Sequence, residues 1–99
     1  MTTIAFERTG GIVSNEIHFE VDLNQLPADD AEHLHQLLLH ADFFNIPKNL
    51  AATSTPDEFQ YVITVDAGDE SHTVRTSDTT MPKNLLPLVK ELTMMKMLQ

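Results

Sequence analysis

The spacing of apolar residues changes repeatedly along this chain, and the order of those changes limits the folds open to it more than any other feature. From Ile17 to Asn24 the alternation is strict: Ile17, Phe19, Val21 and Leu23 point one way, and His18, Glu20, Asp22 and Asn24 the other. That is the period of a strand with one wet face. After Leu26-Pro27 the period lengthens, placing Ala31, Leu34, Leu37, Leu38 and Ala41 on one stripe of a helix. Pro27 suits the start of such a helix because its missing N–H would be unpaired there anyway, and Asp29, Asp30 and Glu32 complement the positive end of the dipole. Phe43-Phe44 is expected to close the element, with Asn45 and Pro47 marking the stop.

The same two periods then recur. Phe59, Tyr61, Ile63 and Val65 alternate with polar or smaller neighbours, and Asp66-Ala67-Gly68-Asp69 supplies a turn into Ser71–Thr76, so a hairpin is expected. Leu85, Leu88, Val89, Leu92 and Met95 return to helical spacing, with Asn84 as expected cap, Pro87 in the first turn and a separate turn around Pro82. At the other end, Ile4 and Phe6 alternate up to Gly10-Gly11, a hairpin signal where φ turns positive. The reading is ββαββα over a single domain, residues 1–99. Two hairpins and two amphipathic helices bury their apolar faces together as an α+β two-layer sandwich, a four-stranded antiparallel sheet with both helices on one face. Periodicity leaves the strand order open. Phe6, Phe19, Leu34, Leu38, Phe59 or Tyr61, Ile63, Leu88 and Leu92 are the expected core.

Composition narrows the function classes. The chain is 99 residues long and 41% hydrophobic, enough for a core without cross-links, and it has no cysteine. A net charge of -9 repels a phosphate backbone and an anionic bilayer, so neither nucleic acid nor membrane is an expected partner. Between Glu16 and Asp42 the acids Glu16, Glu20, Asp22, Asp29, Asp30, Glu32 and Asp42 meet no Lys or Arg. One flank is therefore expected to be electronegative, either as a solvated surface or as a steering surface for a basic partner. The start of the chain lacks a basic, apolar leader and no segment has the length of a membrane span, so a cytoplasmic location is expected.

Chemistry-bearing clusters are sparse. Glu32 and His35, and Asp29 and His33, have spacings that suit a metal, but the pairs lie on adjacent faces and diverge. His18 and His72, on separate strands, are too few for zinc even if they share a face. Ser14, Ser54, Ser71 and Ser77 lack a nucleophile-elbow setting. Neither catalytic residues nor a cofactor nor a resident metal is expected. Arg75 is expected to form a cross-strand ion pair. Met94, Met95 and Met97 cannot all face the sheet, so one or two should be exposed, which suits a monomer or a weak homodimer.

Taken in order, Phe6-Glu7-Arg8-Thr9-Gly10-Gly11, the Leu-rich helix ending Ala41-Asp42-Phe43-Phe44 before Pro47, Phe59–Val65, His72-Thr73-Val74-Arg75 with Asp78, and Pro82 before Leu85-Leu86-Pro87-Leu88 resemble the emfourin family. The resemblance spans nearly the whole chain. It implies a small bacterial protein inhibitor of thermolysin-like zinc metallopeptidases, typically associated with a protealysin-like enzyme, with no cofactor of its own. The partner would be a thermolysin-like metallopeptidase that supplies the zinc. The alternative is a non-catalytic interaction or regulatory domain. An inhibitor presents rigid segments to a cleft, and two loops are candidates. One is Gly10, Gly11, Ile12 and Val13, with an apolar pair that can fill a pocket or simply begin a strand. The other runs from Leu50 to Pro56 through Thr53 and Ser54, a polar connection that can equally be a plain crossover.

Overall fold

The computed structural model describes residues 2–11, 16–51 and 57–98. Four strands, β1 (Thr3–Gly10), β2 (Ile17–Asp22), β3 (Phe59–Asp66) and β4 (Ser71–Ser77), and two helices, α1 (Ala28–Ala41) and α2 (Leu86–Met97), follow the order ββαββα. All the strand pairs are antiparallel, and the sheet order is β2-β1-β3-β4. The first strand thus lies inside the sheet, and β3 runs parallel to β2 across it. Parallel strands need a crossover of a dozen residues or more, which α1 provides.

Alternation decides which face is covered. Ile4 and Phe6 stand in register with Val21 and Phe19 on one side and with Val65 and Ile63 on the other. All six are buried, as is Val74 opposite Ile63. The helices cover that face with Leu34, Leu38 and Ala41 of α1 and Leu88, Val89 and Leu92 of α2, in one continuous cluster. Of the two aromatic alternatives, Tyr61 is buried and stacks with Phe6 at 6.1 Å between centroids, while Phe59 is half-buried at the cluster's edge. Met95 packs on the core, whereas Met94 and Met97 are exposed.

Two helix boundaries differ from the sequence reading. Helix α1 stops at Ala41, before the Phe pair, because Asp42 takes a left-handed conformation at φ 52° and gives its N–H to the carbonyls of Leu38 and Leu39. An Asp tolerates that conformation better than most residues, and Asn45 Nδ2 holds its carboxylate at 2.7 Å. The following 3-10 turn, Phe43–Asn45, buries Phe43 against the rings of Phe44 and His72. Helix α2 is preceded by Leu85 as cap instead of Asn84, since Pro82 accepts from the N–H groups of Leu85 and Leu86 and the turn around Pro82 runs one residue longer. Pro87 still falls in the first turn.

No helix is long and apolar enough to cross a membrane among the described residues. Among the same residues no group of three or more His, Cys, Asp or Glu is placed to hold a metal ion. Folding driven by this apolar cluster should be indifferent to metal. A chelator is expected to leave the melting temperature of the purified chain unchanged within about a degree in a calorimetric scan; a drop of many degrees would show a metal that the core requires.

Candidate functional site

One end of the sheet brings the end of β1 beside the start of β3. The β1–β3 register ends with Gly10 opposite Phe59, so the loop after β1 and the segment entering β3 leave the sheet side by side. Gly10 and Gly11 both have positive φ, 84° and 83°. A Cβ on Gly11 would sit 2.8 Å from the Phe59 ring, and one on Gly10 would meet the Glu58 carbonyl at 3.0 Å. Both positions require glycine for conformation and for space. Arg8 places its guanidinium carbon 4.2 Å from the centroid of the same Phe59 ring. Its buried Nε has no hydrogen-bond partner among the described residues.

Asp78, just beyond β4, ties this end together. Its carboxylate accepts from the Phe59 N–H at 2.9 Å and from the Tyr61 hydroxyl at 2.8 Å, and its own N–H donates to the Phe59 carbonyl at 3.2 Å. Glu58 accepts from the Thr79 N–H at 3.1 Å and from its hydroxyl at 2.9 Å. The hydroxyls of Thr76, Ser77 and Thr80 bond among themselves around two fully buried residues, Thr76 and Ser77. The start of β3 is thereby stapled to the turn after β4.

The second loop begins against the free side of β4. Arg75 donates its N–H to the Lys48 carbonyl at 2.8 Å, and Leu50 donates to the Arg75 carbonyl at 2.7 Å, a short parallel bridge. What reads in sequence as a structureless connection is therefore anchored for part of its length. Leu50 is half-buried against the core. Of the candidate residues, Gly10, Gly11 and Leu50 are described, and Arg75 lies two positions before Ser77, the partner of Gln60 next to Phe59. Ile12, Val13, Thr53, Ser54 and Pro56 lie outside the described residues.

Burial pushes the Tyr61 hydroxyl well above its ordinary value, and the hydrogen bond and negative charge of Asp78 push it further, while Arg8 opposes. The unfolded chain loses this proton near pH 10 and the folded one holds it to higher pH, so this contribution to stability is complete below pH 10 and falls as pH rises beyond it. Tyr61 is the only tyrosine in the chain. Absorbance at 295 nm should show no phenolate through pH 10.5 in the folded protein, and Asp78→Asn should bring the midpoint down. Phenolate forming at pH 10 in the native chain would contradict the Asp78 contact.

Other expectations are corrected by the strand faces. His18 and His72 do not share a side. His18 lies on the open face, 3.2 Å from Glu7, whereas His72 sits opposite Val65 on the covered face, with Nε2 2.6 Å from the Ile46 carbonyl and its ring against Phe43 and Phe44. Arg75 faces Val62 across the strand pair, not a carboxylate. His33 reaches Glu91 of α2 at 3.6 Å. Sequence reasoning did not single out Arg8, Glu58 or Phe59 as parts of the sheet end. The cluster of Ser77, Asp78, Thr79 and Thr80 after a strand was the available signal, since such side chains bond to local backbone.

The described residues thus give a polar-stapled sheet end on a domain with one open sheet face. The emfourin family model matches residues 6–93, and the chain belongs to that family. Membership carries a general role as a protein inhibitor of metallopeptidases. Neither the curated proteins nor the solved structures include a match.

Proposed function

We propose that this chain, acting as a single domain over residues 1–99, inhibits a thermolysin-like zinc metallopeptidase by protein–protein contact at or near the active-site cleft. It contributes no catalytic group and no metal; the zinc belongs to the partner. The observation that supports the reading is the pairing of Gly10 with Phe59, which sets the end of β1 beside the start of β3. An inhibitor must enter a cleft without being ordered anew by it, because each side chain immobilised on binding costs about 0.5–1.5 kcal/mol. The Asp78 and Glu58 contacts fix the start of β3 before any partner arrives. On this reading the contact residues are Gly10, Gly11, Ile12 and Val13 from one loop and Leu50, Thr53, Ser54 and Pro56 from the other. The chain works as a monomer or weak homodimer in a bacterial cytoplasm.

Competition tests the location. Inhibition of a thermolysin-like enzyme should be mutually exclusive with a small zinc-binding hydroxamate, so that raising the hydroxamate raises the apparent inhibition constant of the protein in proportion. If the two inhibitors bind together, the contact lies away from the cleft.

A further inference from the structure

We infer that the outer edge of β2 is a second docking surface, which takes an extended, basic segment of a protein partner as an added strand. The inference is independent of the peptidase reading, since it concerns the opposite edge of the sheet from the Lys48–Leu50 bridge. The sheet order leaves two edges, and at Arg75 that of β4 is already occupied by Lys48 and Leu50. Among the described residues β2 pairs with β1 alone.

The phase of that pairing shows which groups are offered. Leu23 donates to the Thr2 carbonyl at 3.0 Å, and the register continues with Asp22 opposite Thr3 and Val21 opposite Ile4. Hydrogen-bonded and non-bonded pairs alternate in an antiparallel ladder, so Val21, Phe19 and Ile17 turn their N–H groups to β1. Those of Asp22, Glu20 and His18 turn outward. The side chains of the same three residues stand on the open face of the sheet, Glu20 and His18 exposed. Beside them a shallow trough runs over Ala5, Val62 and Thr64, because Ala5 is small where it stands between Glu20 and Thr64. An aliphatic stem fits along that floor with its cation at Glu20 or Glu7.

Charge selects the occupant. Exposed edges are commonly protected by Lys, Pro or a bulge, and residues 16–22 contain neither Lys, Arg nor Pro. Their protection is acidic, from Glu16, Glu20 and Asp22. A second copy of β2 paired about its centre would set Glu20 against Glu20 across the new ladder, on a chain of net charge -9. A strand with Lys or Arg at alternate positions meets an acid at Glu20 and at Asp22, His18 being the one position of the row that is not acidic. Strand addition then supplies main-chain bonds for affinity, and the acidic row supplies selectivity.

Amide exchange followed by NMR on the full chain tests this directly, with an acetylated, amidated hexapeptide of alternating Lys and Val as probe and the Glu/Val peptide as its control. At saturating Lys/Val peptide, exchange at His18 and Glu20 should slow at least 10-fold while Ile17 and Phe19, already bonded to β1, stay unchanged. The Glu/Val peptide should have no effect, and Glu20→Lys, at an exposed position, should weaken the Lys/Val peptide at least 5-fold. Three results would overturn the inference: peptide-induced shifts spread over Asp29, Asp30 and Glu32 with no protection of β2; equal binding of both peptides; or protection of His18 and Glu20 in the free chain with dimerisation, which would make a second copy the occupant.

Discussion

Phe6→Ala is expected to remove about 3–5 kcal/mol of unfolding free energy, a large share of the roughly 5–15 kcal/mol that a domain of this size possesses. Phe6 is 2% exposed on an inner strand, in register with Phe19 and Ile63 and stacked on Tyr61. Its ring is thus enclosed by three strands, with Tyr61 further tied to Asp78. Neighbours fixed in this way cannot close over the void, and the cavity left adds to the lost transfer energy. Urea unfolding should show a lower midpoint with an unchanged slope, or no folded baseline at all. A loss under 1 kcal/mol would mean that the core is looser than the register implies. Any loss of inhibition in this variant reports unfolding, so it says nothing about contact.

The second large effect concerns binding. Replacing Ile12 and Val13 together with Asp is expected to weaken inhibition at least 100-fold while leaving the melting temperature within a few degrees. An unpaired carboxylate driven into an apolar pocket costs several kcal/mol, and about 2.7 kcal/mol already corresponds to a hundredfold. Thr53→Asp with Ser54→Asp is the matched change on the other candidate loop, where polar residues should lose much less. If the first pair of substitutions collapses the fold, those residues serve the sheet. If both pairs leave inhibition intact, the contact face lies elsewhere on the molecule.

Much of the architecture was legible because its cause is local. The alternation through Ile17–Leu23 and Phe59–Val65, and the stripe from Ala31 to Ala41, each state which side of an element is dry, and the structure buries those sides. Strand order was not legible, because β1 ends at Gly10 and pairs with a β3 that begins only at Phe59, and periodicity carries no information about partners. The end of α1 was misplaced for a different reason. Phe43 and Phe44 fit the apolar stripe, and only the left-handed Asp42, held by Asn45, turns the chain away. The sheet end was half legible. Gly10-Gly11 announced a turn, but the need for glycine comes from the Phe59 ring and the Glu58 carbonyl, which are distant in sequence. Asp78 likewise gains its role only when β3 lies beside β4.

On the proposed reading, this acidic domain stops a thermolysin-like enzyme by contact and leaves its zinc in place. The most direct measurement is a titration of active-site-quantified thermolysin-like peptidase with the purified chain in a zinc-buffered assay, with enzyme-bound zinc determined at each point. Activity should fall linearly to zero at a whole-number stoichiometry with the zinc content unchanged, and added zinc should restore nothing. Inhibition that tracks zinc loss and vanishes when zinc is resupplied, or full activity at a large molar excess of the chain, would contradict the account.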